Sequence, residues 1–239
     1  MDPLAIPAGA VSWESGAAIS AARKYMELVE AQLSQAELDL HSAAVEAYRR
    51  TANPDESLWE SLVGQVEKSF AEDYRPIMRS TEVIYLQMVF ETFVSRHITE
   101  LQSLRPGRPK VPRELKDRRA VAKAAGDYFQ ENLKWSVLTS DEWDALGEAA
   151  EVRNCIVHNG GVARKSRHPE LIDKLVAREW QGQAVGIKIY RGDDGQDAGL
   201  PLVICHRFVQ YYLSLLEKLF NAIAEKTRAE FWDKGSGRG

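Results

Sequence analysis

The segment RNCIVHNGG holds two side chains suited to chemistry, Arg153 and His158, separated by four residues. A guanidinium is a permanent cation with a fork of donors for anions, and an imidazole moves protons near neutral pH. The pair therefore suits acid–base work on an anionic substrate. His158 stands where a helix should end, and the helix dipole there favours the protonated ring. A lone histidine at a helix end is also an ordinary capping residue.

On a wheel of 100° per residue with Gly147 at 0°, Glu151, Asn154 and His158 fall at about 40°, 340° and 20°, forming one polar stripe. Trp143, Leu146, Ala149, Val152, Ile156, Val157 and Ala150 fill an arc from roughly 140° to 320°, and Arg153 projects from it at about 240°. A guanidinium buried without a partner would cost several kcal/mol. Three arrangements could meet that need: an internal carboxylate, a pocket for an anionic ligand, or a subunit interface that leaves a wet cleft. Asn154 reads as a donor that orients a ligand or the histidine, because an amide does not titrate. Glu151 could orient His158, and the simpler expectation is that it faces solvent.

Arg153 followed by a polar Asn154, then His158 followed by Asn-Gly-Gly, resembles the signature of HEPN-domain proteins, a superfamily of helical nucleotide-binding domains. Many are metal-independent endoribonucleases, and others are noncatalytic binding or dimerisation modules. The resemblance implies that Arg153 and His158 meet their symmetry mates in a homodimer and form one composite cleft. It implies attack of an RNA 2′-hydroxyl on the adjacent phosphate, with His158 moving protons, Arg153 stabilising charge on the phosphoryl oxygens, and no metal or other cofactor. Arg164, Lys165 and Arg167 in the following loop would touch the RNA backbone. A toxin or antiviral setting, with a cognate inhibitor or operon partner, would fit such an enzyme. The alternatives are a noncatalytic HEPN-like module for a protein or nucleotide, and a helical scaffold in which Arg153 is tied up in an ion pair.

The elements that must position these residues read as all-α, a helical bundle with long antiparallel helices and a small inserted β-hairpin. Over 15–51, Ile19, Ala22, Met26, Val29, Leu33, Ala36, Leu40, Ala43 and Ala47 form a heptad seam. Asn53-Pro54-Asp55 breaks it, and Asp55 or Ser57 can cap a second helix through about 72. A third helix over 76–104 is apolar nearly all round in its middle and belongs at the centre of a bundle. Prolines and a glycine mark 105–112 as a linker. A fourth helix is expected over 113–133, the fifth from Ser140 to about Asn159, and a short one over 169–180. AVGIKIYR and GLPLVIC flank Gly192-Asp193-Asp194-Gly195 as a hairpin, and the last helix spans 206–231. Residues 1–14 and 232–239 read as loose ends of a single HEPN-like domain over 15–231, with the hairpin inserted near 184–205.

Composition is that of an ordinary globular chain: 239 residues, 44% hydrophobic, 28% charged. A net charge of −4 argues against coating nucleic acid without selectivity. Residues 105–123 nonetheless hold eight Lys or Arg against two acids, a run that could hold phosphates or form a solvated face. No apolar run approaches the roughly 18 residues of a membrane span, and the start lacks a secretory signal, so a cytoplasmic protein is expected. Cys155 and Cys205 read as reduced packing residues. A zinc site from Cys155, His158, Cys205 and His206 is rejected, since adjacent residues point apart and no CxxC supports it. His41, His97 and His168 read as surface or cap residues, and Phe208, Tyr211, Tyr212 and Phe220 as core. There is no P-loop, no GxGxxG after a strand and no GxSxG elbow.

Overall fold

The computed structural model describes residues 10–52, 54–104, 112–116, 120–189 and 199–231, with the backbone alone for Ala10, Glu114 and Lys116. Helix α1 (Ala10–Arg50) starts five residues before the expected boundary at 15. Asp55 caps the return, its carboxylate accepting from the Leu58 amide at 2.8 Å. From there α2 (Glu56–Trp59), α3 (Gln65–Ser69) and α4 (Arg75–Leu104) follow one another through π-helical turns at Glu60–Gly64 and Phe70–Tyr74. The expected break between a second helix and a third at Pro76 is therefore absent. Proline in the first turn of α4 costs little there, because the preceding π turn already disrupts the regular ladder.

Side-chain pairs running in opposite senses zip this path onto α1. Tyr48 meets Trp59 edge-on at 5.1 Å, His41 meets Glu67 at 3.2 Å, Arg75 meets Glu37 at 2.6 Å, Arg79 meets Glu30 at 2.9 Å, and Arg96 meets Glu14 at 2.5 Å. The product is a long antiparallel helical hairpin. The last helix, α9 (His206–Phe231), packs on both α1 and α4, and starts beside Glu30, to which His206 comes within 3.3 Å. That start explains where the heptad seam departs from expectation. Ile19, Ala22, Met26 and Val29 are buried, Leu33 is half-buried, and Ala36, Leu40, Ala43 and Ala47 are exposed. Two packed helices bury a narrower stripe than three.

The fourth expected helix is broken into α5 (Arg113–Lys116), α6 (Val121–Asp127) and a π turn at Tyr128–Asn132, with Ala120 left-handed at φ 45° before α6. Then come α7 (Ser140–Asn159), α8 (Pro169–Val176), and two short antiparallel pairs. β1 (Glu179–Trp180) pairs with β2 (Gln183–Ala184), and β3 (Ile187–Lys188) with β4 (Val203–Ile204), in the register Ile187 to Ile204. The expected helix over 169–180 thus ends early and yields to a strand. The proposed turn at 192–195 and most of the basic run at 105–123 lie outside the described residues, as do 1–9 and 232–239. The long helices and the two strand pairs make the architecture an all-α bundle with a small β element.

The core is one cluster running through every long helix: Phe90, Val94, Ile98, Phe129, Leu146, Val152, Tyr212 and Leu216 are all buried. Phe208, Tyr211, Tyr212 and Phe220 belong to it, as their helical spacing suggests. His97 corrects its reading as a surface or cap residue. It is buried, bonded to Ser15 Oγ at 3.1 Å and set against Phe220, and its imidazole is pushed down to about 4, first by burial and then by Arg96. No helix among the described residues is long and apolar enough to cross a membrane.

Candidate functional site

The helix that carries both motif residues is held firmly at each end. Thr139, one residue before the expected capping Ser140, closes a capping box: its hydroxyl accepts from the Glu142 amide at 3.3 Å, and its own amide donates to Glu142 Oε2 at 2.9 Å. At the other end Gly160 takes φ 60° and Gly161 φ 80°, and the Gly161 amide returns to the Cys155 carbonyl at 3.0 Å. Between these stops α7 packs against α4, α6, α8 and α9. Gly126 sets the spacing to α6. A Cβ there would stand 3.2 Å from the Trp143 ring, which stacks at 16° on Phe129 with centroids 6.3 Å apart.

Arg153 faces α4, and the charge on the apolar arc is met by a carboxylate. Its Nη2 donates to Glu91 Oε1, the same oxygen accepts from Gln87 Nε2 at 2.8 Å, and Gln87 Oε1 accepts from the Tyr212 hydroxyl. Tyr212 and Gln87 are buried, and burial, with the nearby Glu91 carboxylate, holds the phenol well above its ordinary range, so it remains a donor. The result is a polar chain that runs from the bundle core to a surface cleft. The Arg153 side chain is 24% exposed and that of Glu91 only 8%, so the pair is anchored on the core side and open on the other.

That open side is a cleft of 1280 Å³ running along α7. Arg153, Asn154 and His158 line it together with Glu151, Lys165 and Arg167, so the structure gathers six of the seven residues singled out in this region. Arg164 is not among its lining residues: its guanidinium lies against Gly199, where a Cβ would come within 2.3 Å of Nη2. Glu151 corrects its expected solvent-facing position. It is buried, and one oxygen accepts from Ser166 Oγ and from the His168 amide, the latter at 3.3 Å. The carboxylate thereby ties down the loop that brings Lys165 and Arg167 to the rim. His158 is exposed, and no side-chain hydrogen bond fixes its ring among the described residues. Asn154 is half-buried beside it.

Several contributors were invisible to a reading of the motif. Glu91, Gln87 and Tyr212 come from distant helices, and Lys123 and Lys174 complete the sides of the cleft from α6 and α8. The available signal was Glu91 itself, a charge in the otherwise apolar middle of its helix. Gly147 faces the cleft with nothing within 4 Å of where its Cβ would be. In a helix interior that glycine costs about 1 kcal/mol relative to alanine. Cys155 and Cys205 form no disulfide among the described residues, and the first is buried and the second half-buried. Among the described residues no group of three or more His, Cys, Asp or Glu is placed to hold a metal ion. No protein-family model, curated protein or solved structure matches this chain.

Proposed function

We propose that the chain is a HEPN-like, metal-independent endoribonuclease whose cleft on α7 is the catalytic half-site of a homodimer. The observation that carries this reading is the convergence of Arg153, Asn154 and His158 on one open cleft rimmed by Lys165 and Arg167. In the reaction the RNA 2′-oxygen bonds to the neighbouring phosphorus and the bond to the 5′-oxygen breaks. One imidazole takes the 2′-hydroxyl proton and a protonated imidazole supplies the 5′-oxygen, leaving a cyclic phosphate and a 5′-hydroxyl end. His158 from each of two copies fills the two roles. Arg153, aimed by Glu91, stabilises the charge that builds on the phosphoryl oxygens.

A second copy also accounts for an unusual face that runs from the end of the preceding π turn along α4. Tyr74, Ile77, Thr81, Ile84, Tyr85 and Met88 fall within an arc of about 100° and carry no charge, and Ile77 and Met88 are 63% and 52% exposed. Met88 is one turn from Glu91, and on α7 Val157, 49% exposed, is one turn from Arg153. An isologous contact over this face would set two copies of the cleft side by side. A toxin or antiviral role with a cognate inhibitor, and a cytoplasmic location, accompany the proposal.

The Arg153–Glu91 pair also favours a second reading, a noncatalytic binding module or scaffold in which the arginine is structural. Incubating the protein with mixed RNA in EDTA, beside His158→Ala and Arg153→Ala, separates the two. The nuclease reading expects cleavage by the wild type and a loss of at least about a hundredfold in each variant. An inactive wild type, or variants that cut as well as it does, sinks it and leaves the structural arginine.

A further inference from the structure

We propose that the cleft continues past the Arg153–His158 end as a track for a single RNA strand, with Gly147 the point where the strand comes nearest to the helix backbone. The inference rests on the RNA-cleaving reading above and assigns the substrate's conformation and the seat of its flanking nucleotides. The cleft lining reaches from His158 and Asn159 back to Ser140, nearly the whole of α7, a run of about 27 Å at 1.5 Å per residue. At 1280 Å³ it exceeds the roughly 300–1,000 Å³ of pockets that enclose one small molecule. Its floor is one helix wide, roughly 10 Å, which fits one strand and leaves a duplex standing above the motif residues.

Gly147 sits midway along that floor. Glycine inside a helix normally answers a packing demand, as Gly126 does beneath Trp143, but no atom lies within 4 Å of a Cβ at Gly147. The space is open on the cleft side, so what the missing side chain clears is room for a ligand. Lys123 on one side, and Lys165, Arg167 and Lys174 on the other, flank the floor, and none is in an ion pair among the described residues. Asp127 and Asp144 occupy the end near Ser140. Carboxylates repel phosphate and accept from exocyclic amino groups, so the backbone keeps to the lysine sides while bases face the acids. Trp143 borders the same end, 6% exposed, and its indole N–H has no acceptor among the described residues.

The test uses His158→Ala protein, so that RNA is held and not cut, and fluorescein-labelled single strands of two and ten nucleotides read by anisotropy. With Gly147 intact, affinity rises at least tenfold from the dinucleotide to the decamer, and with Gly147→Gln that gain is lost while the melting temperature does not fall. Lys123→Ala and Lys174→Ala, both exposed and harmless to folding, each lower the slope of log affinity against log salt by about 0.7. A decamer bound as well by Gly147→Gln as by the parent, or salt slopes unmoved by both lysine changes, overturns the track. A decamer that is bound but never cut by the wild type overturns the ribonuclease reading instead.

Discussion

Two glutamates buried on the same helix, nine residues apart, meet opposite fates. Glu91 accepts from both Arg153 and Gln87, whereas neither oxygen of the fully buried Glu82 has a hydrogen-bond partner among the described residues. Desolvation, with repulsion from Glu30, pushes the Glu82 carboxyl up to about 7 despite the opposing influence of Arg79. Near neutral pH, then, α4 carries one acid whose oxygen a guanidinium and an amide engage, and one that is taking up a proton because burial outweighs the influence of Arg79. The difference separates an acid with partners at the wall of a cleft from one enclosed without them inside the bundle. Burial alone does not set the surroundings of a glutamate in this fold; the partners it meets do.

The largest effect should follow from breaking the partnered acid. Glu91→Ala leaves Arg153 partly buried without its carboxylate and should cost about 3 kcal/mol in urea unfolding. Adding Arg153→Met in the same chain should recover much of that loss, and a double variant as unstable as the sum of the two singles would show that the pair is not coupled.

Next comes the unpartnered acid, where the sign depends on pH. Glu82 is protonated in the fold up to about 7 and ionises near 4.5 once unfolded. Its contribution is therefore present below pH 4.5 and lost as pH rises through 7. Glu82→Gln should match the wild type at pH 4.5 and exceed it by about 3 kcal/mol at pH 8, read from urea midpoints, and a difference independent of pH would contradict the assignment. His97 acts in the opposite sense. Its folded value of about 4 lies below the ordinary 6.5, so it opposes folding in acid and ceases to do so as pH rises past 6.5. The two slopes offset each other between about 4.5 and 6.5, so Glu82→Gln should also uncover a rise in stability with pH across that window.

Smaller effects bound the comparison. Thr139→Ala removes the hydroxyl half of the capping box and should cost about 1 kcal/mol by thermal melt. Arg50→Ala breaks an exposed pair with Glu46 at 3.0 Å and should change stability by less than about 0.5 kcal/mol. If the Arg50 change rivals Glu91→Ala, burial is not what sets the worth of these charges.

How much of this was legible beforehand follows the range of the forces involved. The limits of α7 and α9 were readable because capping, glycine and apolar period act within a few residues. The placement of Arg153 on an inward face came from the same local geometry, but its partner lies 62 residues away on another helix and no local rule selects Glu91 from the other acids. Glu151 was misplaced because the chain that buries it is the loop around Ser166, which folds back after the helix has ended. The heptad seam was over-read past Leu33 because its burial depends on where α9 begins.

Cleavage by the proposed route requires the RNA 2′-hydroxyl as nucleophile. A single-stranded oligonucleotide with one ribonucleotide in a deoxy background, incubated with the wild type in EDTA beside its all-deoxy twin, tests it directly. The expected result is one cut, after the ribonucleotide, leaving a cyclic phosphate, with the deoxy strand intact and the cut abolished by His158→Ala. Equal cutting of both strands, or of neither, would contradict it.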